Sequence, residues 1–207
     1  MHIVDGALST PVIAVGSAIA VAGIGLGLRQ LPMEKMPAAA VLSGTFFVAS
    51  LVHVPVGPSS VHLILNGLAG LVLGWAAFPA LFVALLLQAV FFGFGGLTVL
   101  GVNTVDIALP AVIVGYLCRP GIVHSSPQVA AAWGAIGGAL AIALTTVCVG
   151  IALAFSGDEF IAAAKLVFFA HIPIMAIEAV ITAAAVYLAR RVKPELFATV
   201  AGGSVTP

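Results

Sequence analysis

From Val61 to Phe92 the chain runs for thirty-two residues without one Asp, Glu, Lys or Arg. A single helix of that length would extend about 48 Å, whereas the hydrocarbon core of a bilayer is about 30 Å thick. The stretch therefore reads as two membrane spans joined by a turn near "GWAAFPA". Similar apolar runs fill most of the remaining chain, and 62% apolar against 7% charged residues lies far outside the soluble range. In lipid every backbone N–H and C=O needs an internal partner, which leaves helices or a closed barrel. Barrel strands would be segments of about ten residues with alternating polarity, and these runs are continuous. The expected class is all-α: a polytopic membrane protein forming one integral membrane domain over residues 1–207. A tail occupies 1–10, a helical bundle 11–191 and a second tail 192–207.

The seven cationic and seven acidic side chains balance to a net charge of zero, with no basic tract, so no nucleic-acid partner is expected. Cys118 and Cys148 stand alone in apolar runs and read as small buried side chains. The first ten residues hold no Lys or Arg, unlike the n-region of a signal peptide, so the mature chain is expected to start at Met1.

Seven spans follow from the punctuation of the runs. The first covers Pro11 to Leu28 and the second, after "RQLPMEKMP", covers Ala38 to about Val52. The hairpin of Val61 to Phe92 supplies two more. A fifth, from about Val105 to Cys118, is interrupted by Pro110. Ser126 before Pro127 has the pattern of a helix N-cap with proline at the first helical position and opens a sixth run to Phe155. The last, Phe160 to Ala189, should kink or split at Pro173. With this count Arg29, Lys35, Arg119, Arg190, Arg191 and Lys193 all fall on one side, Lys165 alone excepted. The positive-inside rule makes that side cytoplasmic, placing the amino terminus outside and the carboxyl terminus inside.

The outer loops then collect the polar residues that matter. Histidine at position 2 can offer one metal ion three nitrogens: the terminal amine of Met1, the His2 backbone nitrogen once deprotonated, and His2 Nδ1. The fused five- and six-membered chelate rings suit a planar arrangement, and planar nitrogen donors favour Cu(II) or Ni(II), with Co(II) close by, over Mg or Ca. One more imidazole would complete the set. His62, at the outer head of the third span, is the best placed, and His53 competes.

Other polar residues read differently. His171 and Glu178 lie two helical turns apart on one face; as intramembrane ionisable groups they invite a function, though a hydrogen-bonded structural pair or a subunit contact fits them better than a metal pair. Asn66 and Gln88 read as polar glue between helices, His124 as a loop residue, and Lys165 as a partner for Glu159 or a lipid headgroup. Ala14, Ala18 and Ala22, with Gly25 near the same stripe, give the first span a small-residue face that serves packing inside this protein or docking to another membrane subunit.

Four stretches in order, "MHIVDGALS", "PVGPSSVHLILNGLAGLVLGW", "LLLQAVFFGFGGLTVLGVNT" and "HIPIMAIEAVIT", resemble the CbiM/NikM family, the substrate-binding membrane components of energy-coupling-factor transporters for cobalt and nickel. The likeness spans residue 1 to about 190. It implies seven helices, with an amino-terminal tail folded inward from the outer face. Its ligands would be the Met1 amine, the backbone nitrogen and side chain of His2, and His62, binding Co(II) or Ni(II) as substrate with no permanently bound cofactor. It implies that Asn103 braces the tail, with His53 nearby as a possible support. It also implies partners: a transmembrane subunit, against which the Ala14, Ala18, Ala22 face would dock, two cytoplasmic ATPases and a small accessory membrane subunit. The chain has no GxxxxGK[ST] phosphate loop and so no ATPase site of that kind.

The sequence departs from the family pattern at one place. Nickel-type relatives carry "GGTSGHxLGG" around the third-span histidine, and here "GPSSVHLILNG" puts a valine before it and lacks the paired glycines after it. The histidine is kept, so the departure bears on the choice of ion, with cobalt favoured over nickel. A competing class, an intramembrane metal-dependent enzyme, lacks HExxH and any recognisable acid to support "SSVH". A passive channel or haem-binding bundle is the other competitor.

Overall fold

In the computed structural model, which describes residues 2–51, 53–56, 59–157 and 160–197, the apolar runs become seven α-helices. These are α1 (Thr10–Arg29), α2 (Met36–Ala49), α3 (Asn66–Leu73), α4 (Ala77–Phe92), α5 (Leu100–Val123), α6 (Pro127–Ala154) and α7 (Ile161–Val192). Proline sits in the first turn of α1, α2 and α6, where its missing N–H costs nothing and its fixed φ suits the helix. Ser126 precedes α6 in extended conformation.

The reversal expected near "GWAAFPA" is present. Gly74 adopts φ 59° and ψ −128°, and Gly74–Ala76 form a 3₁₀ turn. Asn66, opening α3, bonds to Ile107 O of α5, and the Gly74 end of α3 lies against Arg119 near the far end of α5. The residues after α4 return to Asn103, at the start of α5. Thus α3 and α4 run in opposite directions along α5.

Seven helices are not seven full crossings. By length and apolarity, five segments among the described residues can cross a membrane: α1, Asn66–Phe92 taken together, α5, α6 and α7. The fourteen residues of α2 extend about 21 Å and the eight of α3 about 12 Å, both short of the hydrocarbon core. The missing first turns of α3 are replaced by a structure with no signal in the apolar pattern. An antiparallel hairpin pairs β1 (His53–Val56) with β2 (Ser59–His62), His53 opposite His62. Pro55 favours it, since proline and the residue before it, here Val54, are restricted to extended backbone of the kind β1 uses. His62 therefore sits on a strand, four residues ahead of α3, rather than heading a helix.

Two further expectations change. The fifth helix extends well beyond Val105 to Cys118, to Leu100–Val123, with Pro110 and Pro120 inside it. Pro173 does not split α7. A membrane bundle tolerates interior proline where neighbouring helices pack around it, and α5 is enclosed by α1, α3, α4 and α6.

Helix α5 is the centre of the bundle, with α1, α3, α4 and α6 around it and α7 beyond α6. On α1 the inward face is Gly16, Ala20, Gly23 and Gly27, while Ala14, Ala18, Ala22 and Gly25 are exposed. The stripe noted in the sequence is thus not used for packing within the described bundle. At the end away from the amino-terminal tail, Lys35 donates to Val72 O (2.9 Å), Arg119 to Phe197 O (2.9 Å) and Arg190 to Ser125 O (3.0 Å). Residues after α7 fold back there, with Phe197 buried.

Candidate metal centre

The amino-terminal tail is built into the end of the bundle by main-chain bonds. Ile3 N donates to Asn103 Oδ1 (2.8 Å) and Asn103 Nδ2 donates back to Ile3 O (3.0 Å). One amide side chain thereby reads both polar groups of a residue that is itself fully buried. Asp5 N bonds to Gly95 O (2.9 Å), Thr98 Oγ1 donates to Asp5 Oδ1 (2.5 Å), and Ser9 N bonds to Ser156 Oγ (3.2 Å). The loop that receives the tail needs its glycines. Gly96 has φ 136° and any side chain there would collide with the Asp5 carboxylate. Gly95 has φ 76°, and a methyl on it would press within 2.9 Å of Asn103 Nδ2 and 3.3 Å of His2 Cβ.

This docking delivers His2 to His62. The rings stack with centroids 4.7 Å apart and an interplanar angle of 27°. Both residues are buried, 3% and 2% exposed, with Phe94 beside His2 and Phe46 beside His62. His62 Nδ1 lies 2.7 Å from Leu63 O; a carbonyl only accepts, so Nδ1 carries the proton and Nε2 the lone pair. Among the described residues neither His2 nitrogen has a hydrogen-bond partner, although both are buried. Buried polar atoms are almost always satisfied, so a ring with both nitrogens orphaned is a candidate ligand.

His53 faces the same region from β1, but its ring packs edge-on against Phe94 at 4.1 Å, and no ring contact joins it to His2 among the described residues. Met1 lies outside the described residues. Among those described, no three His, Cys, Asp or Glu side chains gather as a metal cluster; a chelate at the amino terminus draws on main-chain nitrogen as well as imidazole and needs no such cluster.

His171 and Glu178 are fully buried on α7, and they do not bond to each other. His171 Nδ1 donates to Val167 O (2.6 Å), and Glu178 Oε1 accepts from the amides of Ile64 (2.5 Å) and Leu65 (2.8 Å). The bonded pair expected from their spacing is replaced by two separate side chain to backbone bonds. Asn66 does join helices, donating to Ile107 O and Thr145 Oγ1. The Gln88 side chain is buried with no hydrogen-bond partner among the described residues. His124 ends α5, Lys165 is exposed on α7, and Glu159 lies outside the described residues.

Burial, with the neighbouring His53 adding to it, pushes His2 down to about 4. Burial pushes His62 down to about 4 as well, against the opposing bond to Leu63. Both rings are therefore neutral at pH 7, the form that binds metal. With the folded values below the unfolded 6.5, the unfolded or undocked chain binds more protons between those limits. The folded, docked state is thus fully favoured above pH 6.5 and weakens as pH falls towards 4. The protection factor of the Ile3 amide in metal-free protein, taken against the intrinsic exchange rate at each pH, should fall over that window; a protection factor that stays level from pH 6.5 to 4.5 would contradict the assignment.

Known proteins resemble most of the chain. Residues 2–196 match the family model described as cobalt uptake substrate-specific transmembrane region, CbiM. A Haemophilus influenzae protein for which metal transport has been proposed is 42% identical, covering 95% of this chain and 96% of that protein. The cobalt transport protein CbiM of Sorangium cellulosum is 26% identical over 95% of this chain and 94% of its own length. The fused nickel transport protein NikMN of Rhodobacter capsulatus is 38% identical, but over 53% of this chain and 33% of that longer protein. A crystal structure of a truncated transition metal transporter superposes with a TM-score of 0.73 at 28% identity, covering 92% of this chain and 99% of that one. With its several long apolar helices, the chain is a multi-pass membrane protein, and it belongs to the CbiM family of cobalt and nickel transport components.

Proposed function

We propose that this chain is the substrate-capture component of an energy-coupling-factor uptake transporter, taking Co(II), with Ni(II) the alternative, from the outer side of the membrane. The ion would be held by the Met1 amine, the His2 backbone nitrogen, His2 Nδ1 and His62 Nε2. The observation that carries this reading is His2: a ring brought into the bundle by a docked tail, with both nitrogens buried and unpartnered, stacked on a second neutral imidazole.

The ring spacing supports a shared ion. With metal–nitrogen bonds of about 2.0 Å and a nitrogen-to-centroid distance of about 1.2 Å, two imidazoles in adjacent corners of a square plane have centroids about 4.5 Å apart, and in opposite corners about 6.4 Å. A tridentate chelate through the amine, amide and Nδ1 leaves the fourth corner adjacent to the His2 ring. The 4.7 Å between the His2 and His62 rings matches that corner.

The basic end of the bundle, with Lys35, Arg119 and Arg190, would face the cytoplasm, and the His2 end the outside. Asn103 would act as the brace of the tail. The exposed Ala14, Ala18 and Ala22 face of α1 would take the transmembrane partner subunit, with two ATPases supplying the energy and a small accessory membrane subunit completing the assembly. The nickel alternative rests on the shared donor chemistry and on relatives whose names carry nickel.

Equilibrium binding of Co(II) and Ni(II) to the purified protein tests the ligand set. His62→Ala should weaken binding on the order of 100-fold, about 2.7 kcal/mol, and His53→Ala by less than about fivefold. The opposite order would move the fourth ligand to His53.

A further inference from the structure

The strand that carries His62 does not run smoothly into α3. Between them Leu65 takes φ 55° and ψ 19°, the sole positive φ at a non-glycine residue among those described. This conformation is uncommon for a side chain of that bulk, and it persists only where the surroundings hold it. Leu65 is also the cap residue of α3 and supplies no side-chain capping bond. A helix start normally recruits a local Ser, Thr, Asp or Asn for its unmet amides. Here the acceptor comes from 113 residues away: Glu178 Oε1 takes both the Ile64 and the Leu65 N–H.

The Ile64 N–H and the Leu63 C=O are two ends of one peptide group. The carboxyl of Glu178 accepts from the N–H end at 2.5 Å, and the C=O end accepts from His62 Nδ1–H at 2.7 Å. Carboxyl, peptide and imidazole thus form a continuous hydrogen-bonded chain that ends at the ring expected to bind the ion. Metal-binding histidines commonly donate their second N–H to a carboxylate or carbonyl, which fixes the tautomer and the ring orientation. Linked bonds of this kind polarise one another in a low-dielectric interior.

We propose that Glu178 is a positioning residue for the metal centre. It acts through the Leu63–Ile64 peptide to hold His62 with Nδ1 protonated and Nε2 directed at the ion, and it ties the site to α7. The proposal rests on the reading of His62 as a ligand. It assigns the carboxyl a role that depends on where one oxygen lies, because both amides bond to the same atom.

Two substitutions separate position from charge. Glu178→Gln keeps an oxygen at the Oε1 position and loses the carboxylate. Glu178→Asp keeps the carboxylate and withdraws it by one methylene, about 1.5 Å, out of reach of both amides. Glu178→Asp is expected to weaken Co(II) and Ni(II) binding by about 30- to 100-fold and to shift the ligand-field bands of the bound ion. Glu178→Gln should recover most of that loss, to within about threefold to tenfold of the unaltered protein. In metal-free protein the Ile64 and Leu65 amides should exchange slowly in the unaltered and Gln forms and at least about tenfold faster in the Asp form. Asp binding as tightly as the unaltered protein, or Gln as weak as Asp, would overturn the proposal. If the unaltered protein binds neither ion while both amides stay protected in the Gln form and exposed in the Asp form, the ligand reading of His62 fails and the clamp on its backbone stands.

Discussion

Placing one extra residue ahead of Met1 is expected to lower Co(II) and Ni(II) affinity on the order of a thousandfold or more, about 4 kcal/mol, without unfolding the protein. In the proposed donor set the terminal amine closes the five-membered ring through the His2 backbone nitrogen. Converting that amine to an amide removes the donor and pushes the added residue into the volume beside the two imidazoles. The structural cost is small by comparison: among the described residues the tail docks through Ile3, Asp5 and Ser9. Metal capture by the unextended chain should release protons from amine and amide, and few from the rings, which burial already keeps neutral at pH 7. Loss of affinity just below neutrality would therefore follow the amine, whose ordinary pKa is about 7.7–8.0, with the imidazoles competing only nearer pH 4. Calorimetric titration of both forms at two pH values measures the affinity and the proton release together. Unchanged affinity in a folded, extended protein would remove the amine from the site and leave His2, His53, His62 and His171 as the side chains to test.

The parts of this site that the sequence exposes are those fixed by short-range chemistry. A histidine second from the terminus defines a chelate whatever the fold does, and charge asymmetry between loops orders the helices without coordinates. Helix identity is equally legible, because continuous apolar runs in lipid allow little else. The hairpin carrying His53 and His62 is hidden: four-residue strands between two helices leave no periodicity to read, and the prolines of "HVPVGPSS" look like loop punctuation. The length of α5 is hidden for the opposite reason. Pro110 reads as an interruption, whereas in the bundle it lies buried inside a continuous helix enclosed by its neighbours. The role of Glu178 is beyond sequence reasoning altogether, since its seven-residue spacing from His171 suggests a pair, and its actual partners lie 113 and 114 residues away.

The α3–α5 contact is where a single methyl should do most damage to the fold. A side chain on Gly70 would collide with the Ala111 carbonyl and lie 2.9 Å from Ala111 Cα. Reciprocally, a methyl on Gly115 would sit 2.5 Å from Gly70 O. All of these are backbone atoms of an interior helix and cannot rotate away. Within a membrane no hydrophobic gain drives helices together, so close backbone approach and its dispersion contacts carry the association. Gly70→Ala forces α3 and α5 apart and should destabilise by about 3 kcal/mol or more, at or beyond the upper end of ordinary overpacking. The displacement also travels, because α3 follows directly on the turn that Glu178 and His62 share, so metal affinity should fall with stability. Gly25 supplies the comparison: it is helical, exposed, and has nothing within 4 Å of a would-be methyl. Gly25→Ala should be neutral or stabilise by about 0.5–1 kcal/mol through helix propensity alone. Thermal unfolding of the two variants in the same detergent separates the effects, and equal midpoints would mean that α3 and α5 do not pack backbone to backbone.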